Sequence, residues 1–230
     1  MYHDVIKEGG EKSISGFNIK GADDYKIRAK DFEKQLGIAA EFSKRTEKKI
    51  IFTFDDGGQS AIEIIAPVLE KYGIIGIFFI PTSYIDEPGF LTQNDILKLS
   101  EMGHIIGSHS HYHQPMMNRM TYEENLEEWK TSCEILSGII SKPIIHASVP
   151  GGWYAPVVGL AASGTGIQYL YTSEPVTTIS KERACAINGR FSIRDDTNPD
   201  TFQSLLEGKN MVRETMNLKW KLGRIAKRFY

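Results

Sequence analysis

Ile50-Ile51-Phe52-Thr53-Phe54-Asp55-Asp56-Gly57-Gly58 is the stretch on which the reading of this chain turns. Its apolar half, rich in β-branched and aromatic residues, predicts a strand covered on both faces, and the strand stops abruptly at two carboxylates and two glycines. Both carboxylates therefore fall at the strand's C-terminal end. Where strands alternate with helices, that end is where ligands and chemistry gather. An Asp-Gly turn whose carboxylate caps the following helix accounts for the same nine residues, so the decision lies further along the chain.

Working outward, Ser60 to Tyr72 carries Ile62, Ile65 and Leu69 at helical spacing, with a bend expected at Pro67, which has no N–H to donate. Ile74 to Ile80 is a second apolar run, bounded by Gly73 and Pro81 and suited to a parallel strand. Thr92 with Asp95, and Thr121 with Glu124, have the pattern of capping boxes. They open helices at Asn94 to Met102 and along the stripe Leu126, Trp129, Cys133 and Leu136. Short strands are expected at His104 to Gly107, Pro143 to Ala147 and Gln168 to Thr172, a helix at 156–163, and an irregular segment through Arg190 to Arg194. Upstream, residues 6–24 read as a loop with one short strand, Phe17 to Ile19, and Arg28 to Lys44 as an amphipathic helix on Phe32, Leu36, Ala39 and Phe42. The alternation predicts an α/β fold, either a (β/α) barrel or an open parallel sheet. One domain is expected over 1–212, with 1–47 as an N-terminal extension, followed by a basic amphipathic helix over 213–230.

Composition bounds the function. The 230 residues are 41% apolar and 24% charged, ordinary for a soluble globular domain. A formal charge of −2 supplies no pull toward nucleic acid, which is not expected as a partner. Cys133 and Cys185 lie far apart and outside any Cys-x-x-Cys pair, so neither a disulfide nor a thiolate metal site is indicated. The opening Met1-Tyr2-His3-Asp4-Val5 has no basic segment leading into an apolar one, and no apolar run nears about 18 residues. A cytoplasmic protein is the expectation.

Three histidines, His109, His111 and His113, crowd one stretch among the small residues Gly107, Ser108 and Ser110. On an extended strand all three share a face, whereas on a helical turn only His109 and His113 meet. Pro115 disfavours a long helix, so a single turn or loop at the strand's end fits best. Imidazoles so spaced suit zinc or a similar borderline metal, with a carboxylate from elsewhere completing the set and positions left for water and substrate. Sharing a strand end with Asp55-Asp56, the cluster favours chemistry over a plain capped turn.

Thr53-Phe54-Asp55-Asp56-Gly57 followed by His109-Ser110-His111-Tyr112-His113 resembles the first two motifs of the polysaccharide deacetylases, the NodB-homology or family 4 carbohydrate esterase group. Those motifs read T-F-D-D-G and H-[S/T]-x-x-H. The likeness extends through Ala66-Pro67-Val68-Leu69-Glu70-Lys71-Tyr72-Gly73 and Ile77-Phe78-Phe79-Ile80, and covers roughly residues 48 to 154. The resemblance implies a distorted (β/α) barrel of the NodB-homology type. It also implies one divalent metal held by Asp56, His109 and His113, with Asp55 as catalytic base and His111 outside the ligand set. Zinc is the first choice of metal, with Co²⁺, Mn²⁺ or Ni²⁺ as alternatives.

In the family's third motif, R-x-P-[Y/F/G]-G, the residue after proline gives a backbone N–H to the oxyanion. By resemblance that residue is Gly151, and Pro150, Gly151, Gly152 and Tyr154 are the candidate oxyanion and substrate residues. Trp153 and Tyr154 read either as an apolar wall for a pyranose or as core. The chain departs from the family in three places. Ser148 stands where the family has arginine, and neither an Asp-Trp nor a Leu-x-His pattern follows Tyr171-Thr172-Ser173-Glu174-Pro175. No histidine exists beyond His146, which leaves Asp55, His146 and His3 as sources of the leaving group's proton. Arg190 and Arg194 are candidates for the missing arginine, since a guanidinium can grip a carboxylate from another strand.

The expected function is metal-dependent hydrolysis of an N-acetyl or O-acetyl group on a carbohydrate or glycan intermediate. Two alternatives stand beside it: a degenerate homologue that binds metal and glycan without turnover, and an amide hydrolase with a non-sugar substrate. Over 217–230, Leu218, Leu222, Ile225 and Phe229 recur at helical spacing among Lys219, Lys221, Arg224, Lys227 and Arg228, with Trp220 beside them. This pattern predicts either peripheral contact with the inner membrane face or a last helix docked on the barrel.

Overall fold

The computed structural model describes residues 1–19 and 21–226. Two short parallel strands, β1 (Asp4–Ile6) and β2 (Lys26–Arg28), lead into helix α1 (Ala29–Thr46). The main sheet comprises β3 (Phe52–Phe54), β4 (Gly76–Ile80), β5 (Ile105–Ser108), β6 (His146–Ser148), β7 (Tyr169–Tyr171), β8 (Ile179–Glu182) and β9 (Cys185–Asn188). Its order is β3-β4-β5-β6-β7-β9-β8, parallel throughout except that β8 runs antiparallel to β9. Between and after the strands come α2 (Ala66–Lys71), α3 (Gln93–Glu101), α4 (Tyr122–Ile140), α5 (Pro156–Gly164), α6 (Pro199–Leu206) and α7 (Asn210–Ala226). Strand followed by helix, repeated around a curled sheet, is the distorted (β/α) barrel.

Side chains alternate across each strand. Phe52, Phe54, Phe78, Ile80, Ile106, Ala147, Leu170 and Ile187 point outward into one apolar cluster shared with Phe32 and Leu36 of α1, Leu99 of α3 and Trp129 of α4. The intervening positions point inward, where Ile77, Phe79 and Tyr171 form a separate cluster. Gly107 permits that inner face to close: a Cβ there would stand 2.6 Å from the Phe79 ring and 2.8 Å from the His146 carbonyl oxygen.

The N-terminal residues complete the wall beside β3. Tyr2 forms a parallel bridge with Phe54, donating its N–H to the Thr53 carbonyl at 2.8 Å and accepting from the Asp55 N–H at 2.9 Å. Its ring lies 5.7 Å from Phe54 and 5.4 Å from Phe32. Asp4 is buried and accepts hydroxyl hydrogen bonds from Ser15 at 2.6 Å and Ser60 at 2.7 Å. These bonds pin β1 to the start of the helix that follows Asp55-Asp56.

Several details differ from the sequence reading. Phe17 to Ile19 form no strand; the Phe17 ring packs instead on Tyr84, Phe90 and His113. The Ser60 to Tyr72 helix opens with a π-helical turn, Ala61–Ile65, which puts Pro67 in the first turn of α2, where a missing N–H leaves nothing unpaired. The hairpin β8–β9 lies between Thr172 and Arg190, where the sequence reading assigns no element, and α6 likewise has no counterpart in that reading. Both capping boxes form. The C-terminal helix begins at Asn210 rather than 213, and the part of the expected helix at 227–230 lies outside the described residues. Among the described residues, no helix is long and apolar enough to cross a membrane.

Phe54 stacks on Phe78 with ring centroids 4.9 Å apart, directly beneath Asp55. Phe54→Ala is expected to cost about 3–5 kcal/mol in equilibrium urea unfolding. Ile51, 63% exposed one residue before the strand, should change by less than about 0.5 kcal/mol on the same substitution.

Candidate active site

The inward alternation from Thr53 delivers Asp55 to the inner face at the C-terminal end of β3. Arg190, just past β9, grips it from across the barrel: one terminal nitrogen donates to Oδ1 at 2.7 Å and the other to Oδ2 at 2.8 Å. The guanidinium also donates to Thr53 Oγ1 at 3.1 Å, Ser148 Oγ at 2.6 Å and the Thr172 carbonyl at 3.0 Å. Ser148 in turn donates its hydroxyl to Asp55 Oδ2 at 3.0 Å. Phe79 and Tyr171 lie against the guanidinium plane, 5.4 and 5.8 Å away. Arg190 thus reaches both Asp55 and Ser148, the position where the family has arginine, from a different strand. Arg194 does not, because it pairs with Asp24 and lies over Tyr25.

After Asp55 the chain reverses through Asp56 at φ 74 and Gly57 at φ 63. Left-handed backbone costs a non-glycine residue roughly 1–2 kcal/mol, least for Asn and Asp, and here it turns Asp56 toward the histidine loop. That loop leaves β5 at His109 and has two more left-handed residues, Ser110 at φ 61 and His113 at φ 54. Glu128, buried on α4, accepts the N–H groups of His111 at 2.9 Å and Tyr112 at 3.0 Å, holding the turn in shape. His109 and His113 Nε2 stand 3.3 and 3.4 Å from Asp56 Oδ1, whereas the His111 ring is turned to Thr82 Oγ1 at 2.8 Å. Of the two arrangements left open by spacing, the turn is the one formed.

The trio fits a metal. Asp56, His109 and His113 each offer a ligand atom, all within 4.8 Å of one another. Ligands about 2.0–2.1 Å from a tetrahedral ion are separated by roughly 3.3 Å, close to both imidazole–carboxylate spacings here. His109 Nδ1 meets the Ser148 carbonyl at 2.9 Å, and since a carbonyl only accepts, Nδ1 carries the proton and Nε2 keeps its lone pair for a ligand role.

Charge within the site is strongly organised. Burial pushes Asp55 up, but Arg190 and then His109 outweigh it and hold the carboxyl down at about 2. Burial also acts on Asp56, and His3 with the hydrogen bonds of His109 and His113 brings it well below the usual carboxylate range. For His109, burial lowers the imidazole, and Asp55 and Asp56 more than offset it, leaving it raised.

The other candidate residues divide. Pro150, Gly151 and Gly152 form a turn directly after β6, with the Gly152 N–H donating to Val149 at 3.1 Å and the Trp153 N–H to Pro150 at 3.4 Å; Gly151 between them is exposed at φ 59. Tyr154 packs across Gly159 and reaches Glu182 at 3.4 Å, so its hydroxyl is engaged with β8. Trp153 is only 7% exposed and offers no broad face to a sugar. His146 is corrected: the strand read as Pro143 to Ala147 runs His146–Ser148, so the ring sits at its N-terminal end, stacked on Tyr169 at 4.8 Å. His3, one residue beyond the Tyr2 bridge, faces inward with a buried Nδ1 that has no partner among the described residues. Sequence reasoning missed Ser148 as a link to Asp55, Glu128 as a brace, and the Phe17 ring 4.5 Å from His113. Only Glu128 carried a signal, as a carboxylate on the buried stripe of a helix.

The polysaccharide deacetylase family matches residues 43–170, and the chain belongs to it. YxkH of Bacillus subtilis (strain 168) is 30% identical over 132 residues, covering 57% of this chain and 47% of that protein. The peptidoglycan-N-acetylmuramic acid deacetylase PdaA of the same organism is 28% identical over 130 residues, covering 55% and 47%. The chain thus spans about half the length of these relatives. The crystal structure of BC0361, a polysaccharide deacetylase from Bacillus cereus, shares the fold with a TM-score of 0.73 and 23% identity over 90% of this chain and 67% of that one.

Arg190→Met leaves Asp55 buried without its partner and should cost about 3–5 kcal/mol in urea unfolding. Since Asp55 sits at about 2 when folded against an ordinary 3.8, the pair's contribution is complete above that ordinary value and is lost as pH falls through it toward 2. Urea midpoints measured from about pH 6 down to about pH 2 should therefore show an acid limb that Arg190→Met flattens.

Proposed function

We propose that the chain is a metal-dependent deacetylase that removes an acetyl group from a carbohydrate. The observation that carries this reading is the Asp55–Arg190 pair set beside the convergent trio Asp56, His109 and His113. Membership of the polysaccharide deacetylase family supports the substrate class, and the likeness to PdaA supports an N-acetyl sugar.

Each residue has a role that its surroundings support. Asp56, His109 and His113 hold a divalent ion, zinc first; such an ion supplies a lowered water pKa and a polarised acyl oxygen. Asp55, kept charged and fixed in orientation by Arg190 and Ser148, takes the proton of the attacking water as the new C–O bond forms. Gly151, exposed in the turn after β6, gives its N–H to the oxyanion. As the C–N bond breaks, Asp55 gives that proton to the leaving amine, because burial lowers the imidazole of His3, beside Asp56, and leaves it without an acidic proton to donate. Acetate and a free amino sugar result. Tyr112, 58% exposed on the histidine loop, supplies the aromatic surface for a sugar ring that Trp153 cannot.

Elemental analysis of single alanine variants is expected to find metal lost at Asp56, His109 and His113 and retained at His111. Retention in His113→Ala together with loss in His111→Ala would overturn the ligand set.

Acetate release from acetamido-sugars tests the chemistry. Asp55→Asn should keep its metal and slow by about 10²- to 10⁴-fold, because an amide takes no proton from water. No acetate release by the metal-loaded wild type across a panel of acetylated glycans would favour the binding-only homologue, a reading motivated by the absence of any histidine beyond His146.

A further inference from the structure

Helix α7 has two apolar faces, and only one of them is used. At 100° per residue, Val212, Met216 and Trp220 share a side. Val212 and Met216 pack on the core, Trp220 Nε1 donates to Ser173 Oγ at 3.3 Å, and Arg213 lies over the Phe191 ring at 5.7 Å. On the opposite side Met211, Leu218 and Leu222 are 78, 59 and 57% exposed. Those three fall within about 40° of one another around the helix axis. The sequence reading docks this helix through its Leu and Ile stripe; the helix docks instead through Val212, Met216 and Trp220, and Leu218 and Leu222 stay exposed.

Charge says what suits that stripe. Lys219 and Lys221 flank it on either side, and the sequence continues with Arg224, Lys227 and Arg228, with no acidic residue after Glu214. Lys219 meets Asp196 at 3.4 Å, but both side chains are largely exposed, a pair of little energetic weight. An apolar stripe edged by cations on both sides matches the boundary between acyl chains and anionic headgroups.

We propose that α7 binds the surface of an anionic lipid bilayer through Met211, Leu218 and Leu222, with Lys219 and Lys221 at the headgroups. The docked face fixes where the rest of the protein sits. Ser173, which receives the Trp220 hydrogen bond, lies so close to Gly152 that a Cβ there would stand 1.7 Å from its hydroxyl oxygen. A bilayer on the far side of α7 therefore lies one helix diameter, roughly 10–12 Å, from the turn assigned to the oxyanion; that link to a membrane-borne substrate rests on the deacetylase reading, and lipid binding itself does not.

Cosedimentation of the full chain with phosphatidylglycerol–phosphatidylcholine vesicles and with phosphatidylcholine alone tests the proposal. The wild type should bind the anionic vesicles at least about tenfold more tightly than the neutral ones. Leu218→Glu with Leu222→Glu should reduce binding to anionic vesicles at least about tenfold, and Lys219→Gln with Lys221→Gln should reduce it by a similar factor. Circular dichroism and thermal midpoints should be unchanged in both, because all four side chains are on the surface. Failure of the wild type to bind either vesicle, or undiminished binding by the leucine variant, would overturn the proposal. So would a wild-type dimer in gel filtration that the leucine variant converts to monomer without any vesicle binding, which would assign the stripe to self-association.

Discussion

The inner wall depends on one ion pair withdrawn from water. Arg190 makes five hydrogen bonds there, to groups on or just past β3, β6 and β7, and it arrives from the end of β9. An unpaired charge at this depth is expensive to bury, whereas a fully bonded one is tolerated and rigid. The geometry of Asp55 is thus set by strands on three sides rather than by its own turn. The neighbouring Asp56 has no such grip and is aimed by backbone conformation, which divides the two adjacent carboxylates into a clamped one and one facing His109 and His113.

Much of this was legible locally. The apolar run into Asp55-Asp56, the capping boxes at Thr92 and Thr121, and the meeting of His109 with His113 but not His111 all follow from patterns within a few residues. What stayed hidden depends on sheet order. Ser148 and Arg190 are 42 positions apart, and nothing in either segment announces that they share a hydrogen bond. Arg190 and Arg194 were equivalent candidates until the hairpin β8–β9 put one inside and the other over Tyr25. The hairpin itself was obscured because β8 is largely exposed and reads Ile-Ser-Lys-Glu, without the alternation that marks a half-buried strand. His146 was misjudged for a simpler reason: the strand starts three residues later than its apolar run, which reverses the end at which the ring lies.

The first residues of the chain carry more than a loop's share of the site. Tyr2 extends the wall next to β3, Asp4 ties that segment to the helix start through two serines, and Phe17 packs against His113. A segment with no periodicity gives the sequence reader little to use, since its contacts are all made with distant parts of the chain. His3 is placed by the same bridge, on the inward side opposite Tyr2.

The separation between Asp55 and Arg190 has a consequence during synthesis. The pair is joined across 135 positions of sequence, while Asp56, His109 and His113 all belong to the first half of the chain. At about 5–20 residues per second, Arg190 leaves the ribosome on the order of ten seconds after Asp55. Through that interval the carboxylate has no guanidinium, and burying it would be unfavourable. Asp56, His109 and His113, by contrast, are all made before Arg190. The grip on Asp55 is thereby withheld until the residue just past the β8–β9 hairpin has been made.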